Sequence, residues 1–240
     1  MNRRHTQIMS AFLTAIIFLI LSAPATEARR AKKKAVGLEI AKIYFEFNSS
    51  ANDLGVHVFL DGEDWKEIAI VNPEQRTIFE VEGKGPYTEL GMTELFFEGA
   101  EPSLDEFPLD ELLALFPEGK YKFIGKTVDG QRIMSTAMLS HAIPAGPSNV
   151  SAMEINNSLV ISWDPVAAPP LGFPDKPIII VSYQVIVERE DGLRFDVTVP
   201  ATVSQVTVPP QFLETGMYKF EVLAIDESGN QTITEGTFVL

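Results

Sequence analysis

The chain has 240 residues, 45% hydrophobic and 22% charged, with a formal net charge of −14, a composition that suits one or two globular domains. It contains no cysteine, which excludes a disulfide framework, a thiolate metal site and a lipidated cysteine. From Ala35 onward 12 Lys and Arg stand against 32 Asp and Glu, a balance of −20, so the body of the protein repels nucleic acid and anionic lipid, and neither is expected as a partner.

Residues 1–28 read as a signal peptide. MNRRH supplies a basic start, IMSAFLTAIIFLILS an apolar run, and Ala23-Pro24-Ala25 an A-x-A cleavage pattern. The apolar run from Ile8 to Ser22 is 15 residues, short of the ~20 that a helix needs to cross a bilayer core. Five positive charges follow at Arg29, Arg30, Lys32, Lys33 and Lys34 and oppose export under the positive-inside tendency. The expected location is therefore secreted or periplasmic, with an uncleaved membrane anchor as the alternative, and residues 29–37 are read as a solvated basic linker.

Residues 38–142 alternate like strands of a half-buried sheet. Ile43, Phe45 and Phe47 share one face, as do Val56, Val58 and Leu60, and WKEIAIVNP, RTIFEVEG and MTELFFEG follow at short intervals. Asp61-Gly62-Glu63-Asp64 is expected to be a solvated hairpin turn. It lacks the ligand spacing of a calcium loop, as does the acidic stretch from Glu98 to Glu111. Pro108, then Asp110 and Glu111, then Leu109, Leu112, Leu113 and Phe116 predict a short amphipathic helix over 108–116, which Pro117 stops and which caps one end of a sandwich.

Residues 143–240 carry a clearer pattern. A proline-led first strand precedes Leu159, Ile161 and Trp163 at period two. Val181, Tyr183, Val185 and Val187 then share a face, and Asp191-Gly192 turns the chain into LRFDVTV. Near the end, Leu213, Gly216 and Tyr218 open a strand in which Tyr218, Phe220, Val222 and Ala224 alternate with polar residues, the arrangement of a tyrosine corner. With Pro147, Trp163, Tyr183 and Ala224 these marks make the segment from about 144 to 240 resemble a fibronectin type III domain. The resemblance implies a two-sheet sandwich that serves as a spacer or binding module, and carries over no binding residue. Two departures stand out: the loop DPVAAPPLGFPDKP after Trp163 is long, with five prolines, and the chain has no Arg-Gly-Asp tripeptide.

GKYKF at 119–123 nearly repeats GMYKF at 216–220, so Tyr121 is expected to seat a second corner. The predicted fold is all-β: two tandem immunoglobulin-like or fibronectin type III sandwiches, a divergent one over 38–142 with the helical insertion and a clear one over 143–240.

Chemistry is sparse. His57 and His141 are the histidines beyond the signal. His57 is expected to be half-exposed on the strand face opposite Val56, and His141 to belong to the linker, which leaves a histidine-built zinc site or a Ser-His-Asp triad without most of its parts. No catalytic residue, cofactor or metal ligand is assigned. Asn48, Asn149, Asn156 and Asn230 begin matches to the glycosylation pattern, a short motif that recurs by chance. The expected function is non-enzymatic: an exported protein that binds an envelope or extracellular protein or spaces such partners apart, with loop 164–177 as the candidate recognition surface. The alternative is a carbohydrate-binding or glycan-processing accessory protein, with Trp65 exposed on a rim.

Overall fold

A computed structural model describes residues 35–240. The signal peptide, its cleavage site and most of the basic linker lie outside the described residues. Thirteen strands run in chain order as β1 (Ile40–Asn48), β2 (Asp53–Val71), β3 (Thr77–Glu82), β4 (Met92–Glu98), β5 (Gly119–Thr127), β6 (Arg132–Leu139), β7 (Ser148–Ile155), β8 (Ser158–Asp164), β9 (Ile180–Arg189), β10 (Arg194–Pro200), β11 (Gln205–Val208), β12 (Met217–Asp226) and β13 (Gln231–Val239). Among the described residues two short α-helices interrupt them, α1 (Tyr87–Leu90) and α2 (Leu109–Leu115), with one 3-10 turn at Pro210–Phe212. Among the described residues no helix is long and apolar enough to cross a membrane.

The second half is a seven-stranded sandwich. A three-stranded sheet, β11-β8-β7, faces β10-β9-β12-β13, and Trp163, Tyr183, Val185, Phe220 and Val222 fill the space between them. Alternation is what buries them, since every second side chain of a strand points to the same face. Val181 breaks the expected row, being 49% exposed. It lies at the end of β9, where the register with β12 shifts at Ile225–Asp226.

The first half is built on β2. Its leading part pairs with β1 and β4, and its trailing part with β3 and β5. The expected turn at Asp61-Gly62-Glu63-Asp64 is thus corrected: the strand continues through these residues and bends, its register shifting between Asp61 and Trp65. Gly62 serves close packing there, since a Cβ would meet the Leu38 side chain at 2.9 Å. Beyond the bend Trp65, Ile68 and Ile70 face the core. Helix α2 forms where proline, acidic first turn and leucine spacing predict it, with Pro108 as the residue before its first turn. It buries Leu112 and Leu113 against the same core.

Both tyrosine corners are present. Tyr121 is 0% exposed, and its hydroxyl donates to the Pro117 carbonyl at 3.1 Å. Tyr218 is 1% exposed; its hydroxyl donates to the Glu214 carbonyl at 2.7 Å and accepts from the Glu214 N–H at 2.6 Å. Each phenol reaches back four residues, so the repeated pentapeptide performs the same task twice.

A buried aromatic ring contributes roughly 1.5–3 kcal/mol and its hydroxyl bond a net ~1 kcal/mol. Tyr218→Ala is therefore expected to lower the midpoint of thermal unfolding several times more than Tyr218→Phe. Equal shifts in a calorimetric melt contradict the corner.

Candidate functional site

The seam between the halves organises the functional geometry. β1 pairs with β13 in parallel, Glu46 opposite Gln231, Phe47 opposite Thr232 and Asn48 opposite Ile233, which joins strands of both halves into one ten-stranded sheet. The connecting segment 140–147 has no strand of its own, so its carbonyls need other donors. Three side chains supply them at a spacing of two. Asn230 donates to the carbonyls of Ser140 and Ala142 at 2.8 and 2.9 Å, Thr232 to Pro144 at 2.5 Å and Thr234 to Pro147 at 2.9 Å. Asn230 also accepts from the Phe45 N–H at 2.8 Å, and it is 0% exposed. Its glycosylation match is therefore accidental in this fold, because both its amide hydrogens are engaged and no route to solvent remains.

The proline-rich loop 164–177 also belongs to the seam. Phe173 packs on Phe47 with ring centroids 4.8 Å apart, Ala145 donates its N–H to Ala168 at 2.9 Å, and Lys176 pairs with Glu118 at 2.8 Å. The expected recognition loop thus docks on its own chain. His141, expected in an inert linker, sets its ring Nε2 2.8 Å from the Phe116 carbonyl and its ring edge against Phe45.

Beside the seam, the outward face of β1 and β2 carries a polar cluster. Tyr44 and Glu98 lie directly across the ladder from His57 on either side, and Glu46 lies opposite Gly55. His57 does face away from Val56 and Val58, yet it is 4% exposed, which corrects the half-exposed expectation. The rings of Tyr44 and Phe96 pack against it, and residues beyond β4 fold back over it. Its Nε2 lies 3.0 Å from Glu101 Oε1, 3.8 Å from Glu46 Oε1 and 3.9 Å from Glu98 Oε2. Burial raises the Glu46 carboxyl above the ordinary range, partly offset by His57 and by a hydrogen bond from Gln231, while Glu101 and Glu98 push it further up. The Tyr44 phenol is pushed up to about 12, first by burial and then by Glu46 and Glu98. Sequence reasoning missed this grouping because His57 and Glu101 are 44 residues apart and match no motif. The legible signal was Gly55, a glycine in the middle of a strand, which often marks close approach of another group.

An apolar cavity of about 360 Å³ opens in the first half, between strand residues and helix α2. Val58, Ile70, Phe79, Phe97, Leu112 and Phe116 are among its walls, and Ile78 and Leu115 stand exposed at its edge. Trp65, the residue on which a glycan rim depended, is 0% exposed, packed among Leu60, Ile68 and their neighbours.

No protein-family model matches the chain, and no curated protein matches it. Among solved structures it is similar to a two-domain fibronectin type III segment of chicken tenascin at 12% identity and a TM-score of 0.33, covering 85% of this chain and 99% of that one. A fibronectin type III domain of human collagen XX matches at 15% identity and 0.31, covering 42% and 95%. The spore cortex lytic enzyme SleM of Clostridium perfringens matches at 16% and 0.31, this chain spanning 28% of its length. The fold assignment rests on strand order and on the two corners: the chain is an all-β protein whose second half has a fibronectin type III-like fold.

Asn230→Ala strands the Phe45 N–H and two carbonyls, at ~1–3 kcal/mol for each buried group left unpaired. A loss of at least ~2 kcal/mol in urea unfolding is expected. A variant as stable as the parent contradicts this role of Asn230.

Proposed function

We propose that the chain is an exported, non-catalytic spacer whose two sandwiches form one stiff body and hold bound proteins at a fixed separation. The observation that carries this reading is the seam: a shared sheet, a connecting segment hydrogen-bonded by Asn230, Thr232 and Thr234, and a loop of the second half clamped on the first. Tandem domains joined by a free linker swing relative to one another, and relative motion is the default unless the interface is substantial. Here chain that would serve as linker and recognition loop is spent on rigidity. The signal-like amino terminus supports export.

A second reading, that the first half grips an apolar group of a protein partner, is favoured by the cavity, whose volume falls within the range of ligand sites and whose edge exposes Ile78 and Leu115. The glycan alternative is weakened by burial of Trp65.

The absence of cysteine makes labelling simple. Glu89→Cys and Glu190→Cys place nitroxides on exposed residues of opposite halves. The spacer reading predicts one narrow distance distribution by double electron–electron resonance, and a broad or multiple distribution overturns it. Cleaved export is read at the amino terminus of the chain recovered from its cells: a start after Ala25 or Ala28 supports it, and an intact Met1 contradicts cleavage and favours the uncleaved anchor.

A further inference from the structure

We propose that Glu46, His57 and Glu101, with Glu98 at the rim, bind one divalent cation of the zinc or manganese class. One donor atom from each of Glu46, His57 and Glu101 falls within a span of 4.8 Å. The Nε2 of His57 is the common centre, with carboxylate oxygens at 3.0, 3.8 and 3.9 Å. A cation with bonds of roughly 2.0–2.2 Å to nitrogen and oxygen holds its donors roughly 3.3–3.6 Å apart in a tetrahedral shell, a spacing that the separations from Nε2 bracket, and the 4.8 Å span closes by about an ångström as the carboxylates turn toward the ion. An imidazole with carboxylates is the donor mixture that such ions accept, and the absence of thiolate disfavours the softer ones.

Three further observations set this cluster apart from a solvated acidic face. First, the two inner donors are sheltered, His57 at 5% side-chain exposure and Glu46 at 15%, while Glu101 at 34% and Glu98 at 58% reach them from the rim. The charges of His57, Glu101 and Glu98 bear on Glu46. The carboxylates of Glu46, Glu101 and Glu98 thus converge on one sheltered imidazole, and among the described residues no Lys or Arg pairs with them, which is costly for the half-buried Glu46. Second, Gln231 donates to Glu46 Oε2 and leaves Oε1 directed at His57, the kind of outer contact that orients a metal-binding carboxylate. Third, the backbone makes room: a Cβ on Gly55 would lie 2.5 Å from Glu101 Cγ and Oε1, so a side chain at this mid-strand position displaces Glu101.

Binding requires His57 neutral and its Nε2 stripped of hydrogen, so uptake of the ion releases any proton held there. Because Glu46 lies opposite Gln231 of β13, the site includes a residue from each half of the protein.

The test is calorimetric titration of the full chain, stripped with a chelator, against Zn²⁺ and Mn²⁺ separately at pH 7. One ion per chain is expected for at least one of them. His57→Gln should abolish binding, and Gly55→Ala and Gln231→Ala should each weaken it by 10- to 100-fold, as loss of an orienting contact does. The variants are checked for an unchanged far-ultraviolet spectrum. If His57→Gln unfolds, Gln231→Ala, distant from the donor nitrogen, decides the matter. No bound ion, or binding unchanged in the variants that fold, overturns the proposal: in the first case the cluster holds no metal, and in the second the ion sits elsewhere on the acidic surface.

Discussion

The row of Asn230, Thr232 and Thr234 along β13 is the constraint on which the remaining structure depends. Backbone carbonyls removed from water cost free energy unless a donor reaches them, and segment 140–147 has neither helix nor ladder to provide one. The three side chains provide it at the two-residue repeat of a strand, and in doing so lay the connection flat along the edge of the second sandwich. Ala142 and Ile143 are then buried, and β13 is brought beside β1 so that its ladder continues into the first half. An edge strand with free N–H and C=O groups invites association with other chains; here two such edges satisfy each other within one molecule.

The same constraint explains why several surface features point inward. Loop 164–177, stiffened by prolines and therefore cheap to order, closes over the seam with Phe173 on Phe47. Glu46 is held by Gln231 from across the parallel ladder, which places the His57 cluster at the junction and not on an open sheet. The polar cluster around His57 thus lies at the boundary of the halves, and the apolar cavity opens at the first core.

Much of the architecture was legible. Alternating apolar residues located the strands containing Phe45, Val58, Trp163 and Val222, and the duplicated Gly-x-Tyr-Lys-Phe found both corners because burial of a phenol with a local backbone acceptor is a short-range requirement written in consecutive residues. Helix α2 was visible for the same reason. What escaped the sequence was long-range. Asp-Gly at 61–62 has the composition of a turn, but close packing of Leu38 on Gly62 and pairing on both sides keep β2 extended. His57 lies on a nominally polar face, and its burial depends on Glu101, which arrives from beyond β4. Asn230 looked like a glycosylation match because local spacing carries no information about the two carbonyls some 90 residues away that it binds.

Trp65 lies in the first core and Trp163 in the second, so each half carries its own optical reporter. In Trp163→Phe and Trp65→Phe variants, urea unfolding followed by the remaining tryptophan reads one half, and far-ultraviolet circular dichroism reads the whole. If the seam makes the sandwiches a single cooperative body, fluorescence and dichroism midpoints coincide within each variant. A fluorescence transition displaced from the dichroism transition, with a plateau between them, would show that the halves unfold independently and that the seam does not govern the structure.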